Sequence, residues 1–243
     1  SSDLMAGINA SLKIEGKEPL VLKRNEAYIG VLIDDLITKG TSEPYRMLTS
    51  RAEFRLLLRH DNADIRLRQY GYDVGLIDKE RYNKFSKKLK EIEELKNKLK
   101  ELYLTPTKKT NEILEQLNTP LLKEKITLYN LLRRTEITID KLKEVNLLDI
   151  NYTKEVENQV EIGIKYEGYI AKTEREAEKM LKNEEKQIPK NIDYSKIKNL
   201  ASEARQKLEQ VRPTSIGQAL RISGVNPADI SILMVYLRKE YNE

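Results

Sequence analysis

The feature that most constrains the fold is an apolar seam between positions 82 and 102. Tyr82, Phe85, Leu89, Ile92, Leu95, Leu99 and Leu102 recur at spacings of 3, 4, 3, 3, 4 and 3. That alternation follows one face of an α-helix, so the sequence predicts a long helix from about Asp78 to Leu104. Its other faces, "KFSKKLKEIEELKNKLKE", carry lysines offset by Glu91, Glu93 and Glu94 and read as solvated surface. Leu, Ile and Val recur at helical spacing through most of the chain, which argues against disorder. With 39% apolar and 34% charged residues, no tryptophan and two phenylalanines, narrow apolar stripes on wide polar helices are expected. The expected class is mostly α, multi-helical, with two long helices and a small terminal helical bundle.

Other elements are placed by their ends. "LMAGINASLK" (4 to 13) reads as a short helix of small residues, and its abrupt start suggests a segment adjoining a domain that the chain lacks. "NEAYIGVLIDDLITKG" (25 to 40) reads as a helix capped by Asn25 and stopped by Gly40. Shorter helices broken by Pro106 and Pro120 are expected over 105 to 150, then a second long helix over 153 to 187, ending before Pro189. Asn226-Pro227 marks a helix start, a cap followed by proline at the first helical position. Three segments follow from this pass: 1 to 75, 76 to 150, and 151 to 243.

Composition narrows the chemistry. The absence of cysteine removes disulfides, thiolate nucleophiles and sulfur-built zinc sites. A single histidine, His60, leaves metal chemistry to carboxylates and reads as a helix-end residue. Neither G-x-G-x-x-G nor G-x-x-x-x-G-K-[ST] occurs. No catalytic, cofactor-binding or metal-binding residue is therefore assigned. No apolar run approaches the roughly 20 residues of a membrane span, and a net charge of +5 permits a nucleic-acid partner without requiring one.

One segment departs from the rest. "EPYRMLTSRAEFRLLLRHDNADIRLR" (43 to 68) holds six arginines and no lysine, whereas lysine dominates elsewhere. Arginine's planar fork pairs two-on-two with carboxylates and phosphates and tolerates partial burial. Two readings stay open: an internal ion-pair network using Glu43, Glu53, Asp61 and Asp64, or contact with an anionic backbone, with Tyr45 and Tyr70 available to stack on bases. Ser50 and Glu53 match a capping box, so a helix is expected over 51 to 59. Arg51, Arg55 and Arg59 would then form one stripe, and a strand would also keep them on one face. The adjacent acids Asp34 and Asp35 point about 100° apart on a helix, which disfavours a shared acid–base dyad and favours an arginine partner for at least one. The C-terminal "SIGQALRISGVNPADISIL" carries a weak helix-turn-helix signal, and a packed two-helix corner is the stronger reading.

Four stretches together resemble the GidA/MnmG family, the FAD-containing subunit of the tRNA wobble-uridine carboxymethylaminomethyl-modifying enzyme: "EPYRMLTSRAEFRLLLRHDNADIRL", "QVEIGIKYEGYI", "IPKNIDYSKIKNL" and "RPTSIGQALRISGVNPADISIL". The resemblance runs along almost the whole chain but over only the C-terminal two-fifths of the family's length. It implies a helical region that helps bind tRNA and docks an MnmE-type GTPase, within a cytoplasmic, homodimeric enzyme using FAD and NADH. The chain alone is expected to bind neither cofactor and to be inactive: Ser2-Asp3 stand where the family has a flavin-contacting glutamine-glycine pair, and the resemblance implies that the family's dinucleotide-binding glycines and reactive cysteines lie outside the matched part. Arg46, Arg51, Arg55, Arg59 and Arg66 match family arginines and are the tRNA-binding candidates, Arg51 and Arg59 foremost. Lys165, Tyr166 and Tyr169 match "KYxGYI", and Gly217, Gln218, Arg221 and Gly224 match the terminal motif. These seven are the partner-binding candidates. Leu220 and Thr135 depart from the pattern, replacing a small residue and a proline. The alternative function is a protein-interaction module whose arginines pair internally.

Overall fold

The structure, a computed structural model, describes residues 2–38, 40 and 44–241. Among them are twelve α-helices and one two-stranded sheet: α1 (Ser2–Ile14), α2 (Tyr28–Thr38), α3 (Ala63–Asp73), α4 (Lys79–Glu101), β1 (Tyr103–Leu104), α5 (Lys108–Gln116), β2 (Ile126–Thr127), α6 (Leu128–Leu132), α7 (Ile139–Glu144), α8 (Lys154–Lys165), α9 (Glu167–Glu185), α10 (Ser202–Val211), α11 (Ile216–Arg221) and α12 (Pro227–Tyr241). The chain is mostly α, as its periodicity implies. Among the described residues, no helix is long and apolar enough to cross a membrane, and no group of three or more His, Asp or Glu side chains is placed to hold a metal.

The backbone divides into two compact units, Ser1–Leu58 with Lys172–Glu243, and Arg59–Ala171. The sequence-level division at 75 and 150 follows the chain linearly, whereas the first unit joins both ends of the chain.

The unit of residues 59–171 is built on α4. Phe85, Ile92, Leu95 and Leu99 of the seam are buried, while Leu89 and Leu102 lie partly open. The buried core is chiefly leucine and isoleucine from α4, α5, α6, α7 and α8, with Leu95, Leu99, Leu114, Leu131, Leu132, Ile137 and Leu142 fully enclosed. β1 and β2 pair antiparallel, Tyr103 opposite Thr127 and Leu104 opposite Ile126. Each of the five helices α4 to α8 begins with a side-chain cap, from Asp78, Thr107, Thr127, Thr138 and Thr153 in turn. Each cap satisfies one of the N–H groups a helix start leaves unpaired.

In the other unit, the terminal bundle buries Ile192, Tyr194, Ile197, Leu208, Ile216, Leu233 and neighbours. Asn226 caps α12, its Oδ1 accepting from the N–H groups of Ala228 and Asp229 at 2.9 and 3.0 Å. α11 and α12 form the expected two-helix corner, turning through Gly224 at φ 92°. Near the N-terminus, Val31, Ala52 and Leu58 make a small apolar cluster.

Three local expectations fail for identifiable reasons. Asn25 does not cap α2. Residues 24–26 make a turn, with Glu26 accepting from the Lys23 N–H at 2.7 Å, and the helix starts at Tyr28. Gly30 is required there, since an added Cβ would lie 2.5 Å from the Lys23 carbonyl oxygen. The expected helix over 51–59 is absent, and so is the strand alternative. Thr49–Arg51 make one 3₁₀ turn, Ala52 is extended, and the N–H groups of Leu57 and Leu58 both reach the Phe54 carbonyl. The capping box fails because Arg24 takes the Glu53 carboxylate. The long helix over 153–187 is two helices, interrupted where Tyr166 leaves helical geometry at ψ 9°.

Candidate nucleic-acid interface

The centre of the first unit is Arg24, 3% exposed, in a sequence position that carries no motif. Its guanidinium donates to Asp34 at 2.9 Å, Asp35 at 2.8 Å and Glu53 at 2.7 and 3.2 Å, and to the Val31 carbonyl at 3.3 Å. Burial alone would push its pKa down, yet the hydrogen bonds and charges of Glu53 and Asp35 outweigh that and raise it. A fork with five donors can satisfy this many acceptors at once, and a lysine could not. Asp34 and Asp35 are thus arginine partners rather than a dyad, and the arginines they meet lie outside the arginine-rich segment.

Arg24 also fixes the segment that follows. It donates to the Arg51 carbonyl at 3.4 Å, and Asp35 accepts the Tyr45 hydroxyl at 2.7 Å. Burial pushes the Tyr45 phenol up to about 12, reinforced by the Asp35 hydrogen bond and charge and opposed by Arg51. The Arg51 guanidinium lies 4.4 Å from the centre of the Tyr45 ring. Arg46, Arg51 and Arg55 are all exposed. Glu53, the one acid among described residues 44–58, is committed to Arg24. The loop is therefore clamped from below by a charged core and presents three arginines to solvent.

The other two candidates of that set belong to the second unit. Arg59 pairs with Asp61 at 3.1 Å, and Asp61 is also held by Gln159, whose Nε2 donates at 2.6 Å to its carbonyl and at 3.0 Å to its carboxylate. Burial raises the Asp61 pKa, but hydrogen bonds from Arg59 and Gln159 and the Arg59 charge leave it below the ordinary value. Arg66 donates to Asn62 at 3.0 Å and to the Arg59 carbonyl at 3.0 Å. The stripe expected of Arg51, Arg55 and Arg59 does not form, because no regular element joins them. His60 is exposed and borders a cleft of about 680 Å³ with Asp61, Asp64, Arg68 and Gln159. The acids there are committed, Asp64 and Glu155 both to Lys88. Glu43 lies outside the described residues.

The terminal motif is arranged around an ion pair. Arg221 meets both oxygens of Asp34, at 2.8 and 2.7 Å, and also pairs with Glu184. Glu184 accepts the Ser215 hydroxyl at 2.7 Å. Gly217 leaves room for this group, since an added Cβ would collide with the Glu184 carboxylate. Gln218 accepts from the Thr214 N–H and hydroxyl at 2.8 and 2.9 Å. Lys165 pairs with Glu161 at 3.1 Å and donates to the Thr135 carbonyl at 3.2 Å. Tyr166 is exposed after α8, and Tyr169 is exposed on α9.

Residues 79–174 match the tRNA modifying enzyme MnmG/GidA C-terminal helical domain, and residues 176–243 match the C-terminal helical bundle of the same enzyme. The chain belongs to the MnmG/GidA family. It is 53% identical over all its 243 residues to the tRNA uridine 5-carboxymethylaminomethyl modification enzyme MnmG of Clostridium kluyveri, covering 39% of that protein. It is 56% identical over 236 residues to the MnmG of Geobacillus kaustophilus, covering 38%. A crystal structure of Aquifex aeolicus GidA superposes with a TM-score of 0.78 at 41% identity, over 96% of this chain and 36% of that one. The chain thus spans about two-fifths of the length of the MnmG relatives it matches.

Sequence reasoning missed Arg24 and Glu184. Each is a single charged residue with a partner far along the chain, Arg24 with Glu53 at a separation of 29 and Glu184 with Arg221 at 37. The one available signal was the Asp34-Asp35 pair inside an apolar helix, which demanded a cation without naming it.

Proposed function

We propose that this MnmG/GidA region contributes tRNA binding to a wobble-uridine carboxymethylaminomethylation enzyme and docks an MnmE-type GTPase, without carrying catalytic residues itself. The observation that carries the reading is the clamped loop of residues 44–58, which exposes Arg46, Arg51 and Arg55 while its one acid is committed elsewhere. Positive forks held at fixed spacing suit a phosphate backbone, and Tyr45 places an aromatic ring beside them. In the complete enzyme, FAD and NADH are bound by parts of the protein outside this region, and the enzyme works as a cytoplasmic homodimer. For partner docking, the candidates with exposed side chains are Tyr166 and Tyr169.

A second reading, internal pairing, is favoured by a separate observation for two of the five arginines. Arg59 meets Asp61, and Arg66 meets Asn62 and the Arg59 carbonyl. The two readings therefore divide by residue: the loop arginines contact RNA, and Arg59 and Arg66 order the unit that carries them.

Titration of the chain with a cognate tRNA by fluorescence anisotropy, at several salt concentrations, tests this. Removing one arginine that neutralises a phosphate should reduce the slope of log K against log salt by about 0.7 to 0.9. Arg46→Ala, Arg51→Ala and Arg55→Ala are each expected to weaken binding and flatten that slope. Absence of binding at low salt by a folded sample would defeat the reading.

A further inference from the structure

The buried ion pairs of the first unit are not separate. Arg221, at the end of α11 in the terminal bundle, contacts both oxygens of Asp34. The same Asp34 Oδ2 accepts from Arg24 at 2.9 Å. Arg24 reaches Asp35 at 2.8 Å, and the other oxygen of Asp35 accepts the Tyr45 hydroxyl at 2.7 Å. Tyr45 in turn supports the Arg51 guanidinium, while Arg24 holds Glu53 and the Arg51 carbonyl. A continuous run of polar contacts therefore leads from the terminal bundle to the exposed arginine loop, all within one compact unit. Its inner members are scarcely wetted: the side chains of Arg24, Asp35, Asp34 and Arg221 are 3%, 1%, 15% and 13% exposed.

We propose that Arg221 is a positioning residue for the anion-binding loop, acting through Asp34 and Arg24, and is not itself a docking contact for a partner. The proposal rests on the loop being an anion site, but the relay can be tested without RNA. Asp34 has two cations to satisfy. If Arg221 is removed, Asp34 is left with Arg24 alone and recentres on it, because a buried carboxylate with two of its three donors gone relaxes toward the one that remains. Arg24 cannot follow without loosening Asp35 or Glu53, the two groups that fix Tyr45 and the loop backbone. The fork geometry matters as well as the charge. A lysine at 221 supplies one point charge where Asp34 and Glu184 need separate donors.

The experiment uses the chain labelled with 3-fluorotyrosine, the Tyr45 resonance being assigned by its disappearance in Tyr45→Phe. Arg221→Gln is expected to shift the Tyr45 ¹⁹F resonance and to weaken tRNA binding roughly fivefold or more, with Arg221→Lys giving a smaller change in the same direction. Leu233→Ala, which opens the bundle core without removing any member of this run of polar contacts, serves as the control and should leave the Tyr45 resonance in place. An unmoved Tyr45 resonance in folded Arg221→Gln overturns the proposal, as does an equal shift in Leu233→Ala, which would make the effect one of general loosening. Should Arg221→Gln fail to fold, Arg221→Lys decides by the same resonance, a shift supporting the relay and its absence overturning it. If the unaltered chain binds no tRNA, the anion reading fails and with it the functional part of the proposal, and the resonance then reports on the relay alone.

Discussion

The interiors of the two compact units rely on different physics. In residues 59–171 the interior is chiefly hydrocarbon, leucine and isoleucine from five helices; one buried carboxylate, Glu157, pairs with the half-exposed Lys143, and other ion pairs such as Lys154–Asp140 lie at the surface. In the first unit the terminal bundle is apolar too, but the N-terminal part has only a small apolar cluster of Val31, Ala52 and Leu58, with Met5, Leu12, Ala27 and Phe54 buried beside it in the sequence, and sets Arg24 among three carboxylates. Apolar burial is forgiving, because contacts are non-directional and volume can be redistributed. A buried charge network is not, because each oxygen needs its donor and the removal of one partner strands the others. The difference suits the loop it supports, whose backbone makes few regular hydrogen bonds of its own.

The largest expected effect comes from breaking the charged core. Arg24→Gln should destabilise the first unit by about 3 to 5 kcal/mol, the cost of leaving buried carboxylates without their cation. Leu95→Ala, at a fully enclosed position in the hydrocarbon core, should cost the other unit about 3 kcal/mol through forfeited transfer energy and the cavity it leaves. Urea unfolding followed by circular dichroism measures both. Their separate character should show in tRNA binding. Arg24→Gln should weaken it under conditions where the protein remains folded, and Leu95→Ala should not. Equal weakening of binding in the two variants would erase the distinction between the cores.

The same contrast decides what could be read from the sequence. The α4 seam was legible because a hydrocarbon core repeats with the helix period, and each buried position announces itself by spacing. The Asn226-Pro227 start was legible because a cap and its helix are adjacent in sequence. The loop at 44–58 was not legible. Ser50 and Glu53 carry a real capping signature, but Glu53 makes a stronger bond to a buried guanidinium 29 residues earlier, and local propensity yields to that contact. Arg221 illustrates the same limit from the other side. Its place in a terminal motif suggested an outward contact, and the structure turns it inward onto Asp34, which is 187 residues away. Charged partners at long separation leave no periodic trace, so the part of the site that depends on them required coordinates.

One hydrogen-bonded group in each unit should also tie stability to pH, Asp61 on the acid side and Tyr45 on the alkaline side, each by an amount on the order of 1 kcal/mol. Tyr129 in residues 59–171 and Tyr194 in the first unit, both pushed up to about 12 chiefly by burial, add to the alkaline side. In residues 59–171, the Asp61 pKa is depressed in the folded state. Its contribution is therefore complete above the unfolded value of about 3.9 and is lost as pH falls through the folded one. In the first unit, the Tyr45 pKa is raised to about 12. That contribution is complete below the unfolded value of about 10 and is lost as pH rises towards 12. Asp61→Asn should flatten the acid limb of a stability profile and leave the alkaline limb alone, and Tyr45→Phe should do the reverse. Thermal melts across the pH range provide the comparison, and a Tyr45→Phe profile that bends between 10 and 12 as steeply as that of the unaltered protein would remove that tyrosine as a contributor.

The smallest expected effect concerns helix ends. All five helices from α4 to α8 have a Thr or Asp cap whose side chain accepts a backbone N–H. In the first unit α10 is preceded by Ala201, whose ψ of 142° is non-helical, as a cap requires, but which has no side-chain acceptor. Ala201 is exposed, and its own N–H already reaches Asp229 Oδ1 at 3.3 Å, so a hydroxyl can be added without displacing anything. An aspartate would sit beside the Asp229 carboxylate and is the poorer choice. Ala201→Ser should stabilise the first unit by about 0.5 kcal/mol, the low end of cap energies, seen as a higher urea midpoint with an unchanged slope. The reverse change, Thr153→Ala in α8, should cost the other unit about 1 kcal/mol. A larger cost for Thr153→Ala than benefit from Ala201→Ser is expected, because the threonine hydroxyl already accepts the Val156 N–H whereas the new serine must order its own rotamer. Equal and opposite values would instead mean that the two units treat their helix ends alike, and that their difference is confined to the charged core at Arg24.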